Sequence, residues 1–416
     1  MSNFDLSVRF FLQLAFILGV CRAVGLLAQR AGQSQVVSEM IAGVLMGPSL
    51  LGILLPGVHG YMFPRESMPI IFSMSQVGLS LYMFLVGLEF NVELIVARAR
   101  SAVAVSLAGI IVPFSLGAGL ALALFGRPEL FSSRTTPLEA VLFTGASMSI
   151  TAFPMLARII FERGLSGTSL GTLALAAGSL DDAAAWCILA VVLASFSGNA
   201  AFAVTAIGGG VVYAGAVLIA GRPLLRRLGT IVEHEGRMSS GMLTFVLMLV
   251  MLGSWFTDSI RIYAVFGAFI MGVAMPRGRF AAELEQRLEP LVTTFLLPLF
   301  FVYSGLNTRI GLLNSLAMWV LTLGVLVLAT AGKGVACFAA ARLSGEPRRE
   351  ALAIGTLMNS RGLMELIILN IGLERGVIEP ALFTIMVMMA IVTTLMATPV
   401  FEWVYRRGET VMADAA

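Results

Sequence analysis

Residues 167–196 read GTSLGTLALAAGSLDDAAAWCILAVVLASF, an apolar or small-residue run interrupted near its middle by the doublet Asp181 and Asp182. A run of this length is sufficient to cross the roughly 30 Å hydrocarbon core of a bilayer as an α-helix. A carboxylate at the centre of a membrane costs about 2.5–3.5 kcal/mol on insertion scales. Two adjacent carboxylates at that depth therefore predict a path for an ion or a proton.

The composition of the chain extends this expectation to the whole protein. Hydrophobic residues make up 58% of its 416 residues, charged residues make up only 12%, and the mean hydropathy is +0.94. Because a backbone in lipid must satisfy its own hydrogen bonds, such a chain is expected to cross the membrane repeatedly as helices. We predict an all-α integral membrane protein with about thirteen transmembrane helices. They are expected near residues 7–29, 36–54, 69–89, 101–125, 138–161, 167–196, 199–220, 239–257, 262–275, 291–309, 316–341, 350–373 and 380–405.

Arginine residues are distributed unequally between the loops on the two sides. An odd number of spans puts the termini on opposite sides of the membrane and sorts the loops into two sets. The set that includes the C-terminus holds 17 arginines, and the other holds 7. By the positive-inside rule, the C-terminus is expected in the cytoplasm and the N-terminus outside, in the inner (plasma) membrane. The net charge of +3 then follows from topology and gives no reason to expect nucleic acid as a partner.

An internal repeat divides the chain into two halves. Residues 41–46 (IAGVLM) resemble residues 270–275 (IMGVAM), and residues 81–88 (LYMFLVGL) resemble residues 299–306 (LFFVYSGL). Each pair lies seven spans apart, and because seven is odd the copies are expected to run in opposite directions. Inverted-topology halves are a hallmark of secondary transporters, although glycine-rich helices can also look alike by chance. We predict one repeat over about 7–197, a linker helix over about 199–220 and a second repeat over about 239–405.

The same offset pairs span five with span twelve, and both carry residues that disfavour a continuous helix. Span five contains residues 145–154 (GASMSITAFP), in which Pro154 removes a backbone donor while Ser149 and Thr151 can satisfy freed backbone groups. Span twelve contains residues 358–365 (MNSRGLME), with Asn359 and Ser360 at its centre. We predict two broken helices that cross near the midplane and form a polar pocket for a desolvated cation. A single kink in each helix is the alternative.

Lys333 is the only lysine of the chain, and it lies within the apolar run 316–341. A buried ammonium needs an anionic partner, and the aspartate doublet is the nearest candidate in kind. The alternative is a lysine near a helix end whose ammonium reaches the membrane surface.

Arg361 and Glu365 are spaced i, i+4, so that they share a face if the segment is helical. They can neutralise each other within the membrane. The sequence leaves open whether this ion pair is structural or takes part in binding.

With these residues in view, the chain resembles the monovalent cation:proton antiporters of the sodium/hydrogen exchanger superfamily, in particular the branch of Kef-type and plant cation/proton exchangers. The resemblance covers about residues 7–405. Its most specific elements are SITAFP at 149–154, the aspartate doublet, Lys333 and NSRGLMEL at 359–366. It implies a homodimer whose core, spans four to six and eleven to thirteen, moves like an elevator.

The resemblance also implies roles for the charged residues. Asp182 would bind either a proton or the transported monovalent cation, and Asp181 would pair with Lys333. Relatives that carry both acids and the lysine resemble electrogenic exchangers. Na⁺ or K⁺ and H⁺ are the expected substrates, and the choice between the two cations is not fixed by side-chain identities. Membrane lipid is the expected surrounding.

Two other functions are weighed against exchange. A cation channel or uniporter does not require inverted halves, and a non-transporting membrane sensor normally requires an output domain. Only about eleven residues follow the last predicted span, so no soluble regulatory domain is expected. The sequence contains no GxxxxGK[ST] motif and no CxxC, so ATP-driven pumping, a resident metal and other cofactors are not expected. The protein is predicted to be a secondary transporter and not an enzyme.

Overall fold

The computed structural model describes residues 2–30, 33, 35–89, 99–153, 156, 159–160, 163–165, 168–195, 200–260 and 264–413. In this part of the chain the regular structure is helical, apart from one isolated β-bridge between Phe131 and Ile378. The α-helices are α1 (Asn3–Arg30), α2 (Gln35–Met46), α3 (Leu51–Leu54), α4 (Pro56–Met62), α5 (Met68–Glu89), α6 (Ala99–Leu124), α7 (Pro137–Ser149), α8 (Ser169–Ser195), α9 (Ala200–Gly215), α10 (Arg222–Glu235), α11 (Ser240–Ser259), α12 (Ala264–Ala274), α13 (Arg279–Leu291), α14 (Leu297–Leu306), α15 (Leu316–Leu343), α16 (Arg348–Leu357), α17 (Leu363–Glu374) and α18 (Pro380–Ala413).

This architecture confirms the predicted all-α membrane fold. Among the described residues, ten helical segments are long and apolar enough to cross a bilayer. They coincide with ten of the thirteen predicted spans. The other three predicted spans correspond to α7, to the short apolar helix α12 and to the pair α16 and α17.

The sequence did not reveal that two spans continue beyond their apolar parts. Helix α9 runs through a π-helical turn, Ala216–Gly221, directly into the amphipathic helix α10. The amphipathic helix α13 likewise continues through the π-helical turn Val292–Leu296 into α14. Because of these π-helical turns, both helices extend beyond the span boundaries that hydropathy predicts.

The chain divides into two compact units, with boundaries inside α1, α8 and α14. The first unit comprises Met1–Ala23, Leu50–Phe90 and Leu193–Gly305. In it, α5 packs along α12 at Gly87 and Gly272. A Cβ atom on Gly87 would collide with the carbonyl oxygen of Phe269, and one on Gly272 would collide with that of Phe84. Glycine is therefore needed at both positions for the two backbones to approach closely.

The second unit comprises Val24–Ser49, Asn91–Val192 and Leu306–Ala416. Helix α6 packs against α7 and α15, and α15 also packs against α16 and α18. The α6–α7 contact is close because Gly117 faces the backbone of Gly145. The α15–α16 contact is close because Gly334 faces the backbone of Gly355. The same kind of glycine contact thus occurs in the two helix pairs that the repeat offset equates.

Both predicted broken helices are present in the second unit. Helix α7 ends at Ser149, and its continuation begins with extended backbone. Residues 358–362 are not helical and separate α16 from α17, which excludes a single kink there. The two breaks touch, because the backbone N–H of Ala152 donates to the carbonyl of Ser360 at 3.0 Å. Pro154, part of the predicted span-five motif, lies outside the described residues.

Candidate functional site

Asp181 is a buried carboxylate that lies beside both a cation and a hydroxyl. Its Oδ2 atom accepts a hydrogen bond from the Thr151 hydroxyl at 2.6 Å and lies 3.2 Å from Nζ of Lys333. Thr151 belongs to the break after α7, and its hydroxyl is also 3.3 Å from the carbonyl oxygen of Met358 in the other break. The structure thus brings Asp181, Thr151, Lys333 and both breaks together.

Lys333 is completely buried, with 0% of its side chain exposed, so it does not reach the membrane surface. An ammonium has three N–H donors, and three acceptors surround this one. Besides Asp181, they are the carbonyl of Gly109, at 3.0 Å, and the carbonyl of Ser149. Ser149 is the last residue of α7, where the helix dipole is negative. The positive charge of Lys333 is therefore stabilised both by a carboxylate and by the C-terminal end of a helix.

Asp182 is in a different situation from its neighbour, although both side chains are buried. It is 0% exposed, and neither of its carboxylate oxygens has a hydrogen-bond partner in the described part of the chain. An ionised carboxylate removed from water without a partner is strongly unfavourable. A bound proton or a bound cation would remove that cost.

Arg361 and Glu365 form an ion pair that is completely buried, with an Nη1–Oε2 distance of 3.4 Å. The arginine does more than neutralise the glutamate. Its guanidinium donates to the carbonyl of Ser147 at 3.1 Å and to that of Met148 at 2.7 Å. These carbonyls belong to the last turn of α7. Arg361, from one break, therefore caps the helix that ends at the other.

Loss of this cap is expected to destabilise the protein. Arg361→Met leaves Glu365 as an uncompensated buried charge and removes donors from the Ser147 and Met148 carbonyls, so we expect a loss of about 3–5 kcal/mol. Glu365→Gln is expected to cost less because the guanidinium keeps both carbonyl acceptors. The measurement is denaturant-induced unfolding of the purified protein.

The control for this prediction is an i, i+4 ion pair with greater exposure. Arg287→Met removes one of the two arginines that pair with Glu283, at an N–O distance of 3.3 Å and with the arginine side chain 35% exposed. It also removes one hydrogen bond to a backbone carbonyl, that of Met238. Exposed pairs contribute only about 0–1 kcal/mol. An equal effect at Arg361 and Arg287 would contradict the capping role of Arg361.

Three other polar side chains of the breaks donate hydrogen bonds to backbone carbonyls. The hydroxyl of Ser149 donates to the carbonyl of Ala146 at 2.9 Å, and that of Ser360 donates to the carbonyl of Leu357 at 2.8 Å. Asn359 donates to the carbonyl of Thr330 on α15 at 3.0 Å. Of the polar residues that the sequence placed in the pocket and that the structure describes, Thr151 is the one whose hydroxyl contacts the aspartate doublet, at Asp181.

Two residues of the site, Gly109 and Cys337, could not be recognised from the sequence. Gly109 on α6 lies where a Cβ atom would be 2.7 Å from Sγ of Cys337, 3.8 Å from Oδ2 of Asp181 and 3.9 Å from Cε of Lys333. Its missing side chain lets its carbonyl reach the ammonium. Only the packing of α6 on α15 reveals this role, because each residue sits in an unremarkable apolar run.

Gly109→Ala is therefore expected to impair the site. The added methyl group would lie 2.7 Å from Sγ of Cys337, so the Cys337 side chain, one turn from Lys333 on α15, must shift. We expect transport activity to fall severalfold while the protein still assembles. Gly119→Ala is the control, because it is on the same helix and no atom lies within 4 Å of its Cβ position. Equal activity of the two variants would contradict the positioning role of Gly109.

An all-helical membrane fold in which two broken helices meet beside buried carboxylates and a buried lysine defines a secondary transporter. Comparison with known proteins agrees with this class. The family described as sodium/hydrogen exchanger, transmembrane, matches residues 14–407. The chain belongs to this sodium/hydrogen exchanger family, as the sequence motifs predicted.

Individual relatives cover most of the chain. It is 41% identical over 392 residues to the Na⁺/H⁺ antiporter NhaS4 of Synechocystis sp., covering 94% of this chain and 95% of that protein. It is 37% identical to cation/H⁺ antiporter 20 of Arabidopsis thaliana, covering 95% of this chain but only 48% of that protein. The chain thus spans about half the length of the plant relative.

The fold also matches a solved structure. The sodium proton antiporter MjNhaP1 of Methanocaldococcus jannaschii superposes with a TM-score of 0.66, covering 97% of this chain and 96% of that chain. The sequences are only 18% identical, so this similarity concerns the fold.

Proposed function

We propose that this protein exchanges a monovalent cation, Na⁺ or K⁺, for protons across the membrane, and that Asp182 binds the two substrates in turn. The names of its relatives support exchange of this kind. They include the Na⁺/H⁺ antiporter of Synechocystis, the K⁺/H⁺ antiporter 1 of Saccharomyces cerevisiae and the Na⁺/H⁺-K⁺ antiporter GerN of Bacillus cereus. These names cover both cations and leave the choice between them open.

The observation that carries the proposal is the unpartnered state of Asp182. Its oxygens accept no hydrogen bond from any described residue, whereas Asp181 accepts from Thr151 and Lys333. A carboxylate in that position is stable when a proton or a cation is bound to it. Once protonated it carries no charge, so it binds a cation only weakly. The division of roles follows: Asp182 carries the substrate, and Asp181 is the counter-ion of Lys333.

Competition for one carboxylate explains coupled exchange. If the carrier crosses between its two orientations only when Asp182 is neutralised, each crossing carries either a cation or a proton. A proton gradient then drives cation movement in the opposite direction. Thr151 and the loose backbone at the two breaks would supply the remaining oxygen ligands of a partly dehydrated cation.

The Asp181–Lys333 pair bears on the charge moved in each cycle. Asp182 alone would exchange one charge for one charge, which is electroneutral. If a cation also engages Asp181, both carboxylates of the doublet take part in each cycle. More than one proton would then move for each cation. We therefore propose electrogenic exchange, which a voltage-dependent rate would demonstrate.

The arrangement in the membrane is proposed from the internal repeat, the arginine distribution and the family resemblance. Inverted repeats over about 7–197 and 239–405, joined by a linker helix, would provide the two access states, with spans four to six and eleven to thirteen moving as an elevator. We place the C-terminus in the cytoplasm and the N-terminus outside, in the inner (plasma) membrane. A homodimer surrounded by lipid is the proposed assembly.

The experiment that tests the function uses inside-out membrane vesicles that contain the protein. A respiration-driven proton gradient is followed with a pH-sensitive dye while Na⁺, K⁺ or Li⁺ is added over a series of pH values. We expect at least one cation to collapse the gradient, and vesicles without the protein to show no such effect. Absence of cation-dependent proton movement at every pH would contradict antiport.

Competition also predicts a specific pH dependence. As pH falls on the side from which the cation binds, protons occupy Asp182 more often, so the apparent KM for the cation rises. The rise approaches about tenfold per pH unit once protons dominate the site, while the rate at saturating cation changes little. Initial rates measured at several cation concentrations and pH values test this. A KM independent of pH would contradict a shared site.

A further inference from the structure

A cavity of about 240 Å³ lies beside the break between α16 and α17. Side chains from α15, α16 and α18 line it, and they include Val335, Phe338, Leu352 and Met396. Neither Asp181 nor Asp182 belongs to the lining, so the cavity is separate from the proposed cation site. Ionised side chains are also missing from the lining, so the cavity has no charge with which to hold an ion.

The polar part of the lining contains buried atoms that have no hydrogen-bond partner among the described residues. Asn359 is only 7% exposed, and its Nδ2 donates to the carbonyls of Thr330 and Gly355 at 3.0 and 3.4 Å. Its Oδ1 is buried and has no partner in the described chain, and the same is true of Oγ1 of Thr330. A buried acceptor without a donor is unfavourable, and the hydroxyl of Thr330 can either donate or accept. The cavity therefore offers a hydrogen bond to a molecule that brings a donor.

The opening of the cavity is apolar. Val335 is 63% exposed, Met396 41% and Leu352 38%. The first two lie in α15 and α18, which are long and apolar enough to span the bilayer. In the membrane such a rim meets hydrocarbon, so an occupant is expected to arrive from the lipid phase.

We propose that this cavity binds an uncharged molecule dissolved in the membrane that has a compact apolar body and a hydroxyl group donating to Oδ1 of Asn359. Its volume is below the range of roughly 300–1,000 Å³ that is typical of drug-sized pockets, so the occupant is small. A medium-chain alcohol has the required size and chemistry. A phospholipid acyl chain would fill the apolar part but leave the amide oxygen unsatisfied.

Occupancy of the cavity is expected to slow transport, an effect that rests on the proposed function. Thr330 and Gly334 flank Lys333 on α15, while Asn359 belongs to one of the two breaks. A bound molecule contacts both elements and fixes their relative position. Exchange requires these elements to adjust as the substrate changes, so a ligand that binds one arrangement better shifts the population towards it.

The binding test uses the purified protein in lipid nanodiscs and an octanol that carries a photoreactive diazirine. After irradiation, mass spectrometry locates the label. We expect labelling concentrated on Val335, Leu352 and Met396. At equal mole fraction in the membrane, 1-octanol should protect these residues at concentrations about tenfold below those of octane, a difference of about 1.4 kcal/mol. In Asn359→Leu this difference should disappear.

Variants that fill the cavity provide the second arm. Ala397→Leu and Val400→Phe place side-chain volume inside it and should abolish labelling of Leu352. Ala123→Leu, on an exposed position of α6, is the control and should label like the unmodified protein. Octanol should slow exchange by the unmodified protein and not by the filled variants.

Two results would overturn the site. Equal protection by octane and octanol would show an apolar cleft that holds acyl chains without recognition by Asn359. Label distributed over the lipid-exposed Leu323 and Val327 as strongly as over the cavity would show simple partition into the membrane. Labelling as expected without an effect on exchange would leave the site in place and contradict only its influence on transport.

Discussion

Asp182→Asn is expected to reduce cation-dependent proton movement to the level of protein-free vesicles. Asparagine has nearly the same shape as the protonated aspartic acid but cannot lose a proton or supply a negative charge to a cation. Because the Asp182 oxygens have no hydrogen-bond partner among the described residues, this substitution removes no described hydrogen bond. We therefore expect the variant to unfold at the same or a higher denaturant concentration. The measurement is exchange in proteoliposomes together with equilibrium unfolding.

The control for this prediction removes a carboxylate at an exposed position. Asp258→Asn lies near the end of α11 and should retain full exchange. Asp182→Glu keeps the charge but lengthens the side chain in a buried site, so we expect partial activity with a changed cation KM. Substantial exchange by Asp182→Asn would contradict the assignment of Asp182 as the carrier.

Lys333→Met is expected to destabilise the protein about as strongly as Arg361→Met. Methionine fills much of the same volume but leaves Asp181 as a buried charge whose remaining partner among the described residues is the Thr151 hydroxyl. Removing one member of a buried pair costs about 3–5 kcal/mol. Asp181→Asn is expected to cost less because the ammonium keeps the carbonyls of Gly109 and Ser149 as acceptors.

A double-mutant cycle makes this prediction specific. Combining Lys333→Met with Asp181→Asn removes both charges, so the double variant should be more stable than Lys333→Met alone. Arg127→Met removes an exposed cation from the loop after α6 and should change stability little. A double variant whose loss equals the sum of the single losses would contradict direct pairing of Lys333 with Asp181.

The sequence revealed those parts of the site that conflict with a membrane environment. Asp181, Asp182 and Lys333 are conspicuous because charge in an apolar span is unfavourable, and this cost can be recognised without knowing the fold. The two breaks are visible for a related reason, since the residues around Thr151 and Asn359 disfavour a continuous apolar helix. These features are local properties of the chain.

Other features depend on contacts between distant segments, and local sequence cannot show them. The spacing of Arg361 and Glu365 predicted an ion pair, but the contacts of Arg361 with the end of α7 require that the two breaks meet. Gly109 and Cys337 are distant in sequence and ordinary in composition, and they come together only because α6 packs on α15. The side chain of Asn359, expected in the cation pocket, instead donates to α15 and lines a separate cavity.

The difference between the two aspartates is also a tertiary property. Both are acidic, adjacent and buried, so their composition does not distinguish them. The structure does so through contacts, because Asp181 faces Thr151 and Lys333 while Asp182 faces no hydrogen-bonding group that the structure describes. This asymmetry is the physical basis for assigning them unequal roles.

Proton release on cation binding tests the central claim most directly. Purified protein in a weakly buffered detergent solution is mixed with Na⁺ or K⁺ near neutral pH, and a pH indicator records protons set free. If cation and proton share Asp182, binding of the transported cation must release protons, and Asp182→Asn must release none. Cation binding without proton release, or equal release by Asp182→Asn, would contradict the account.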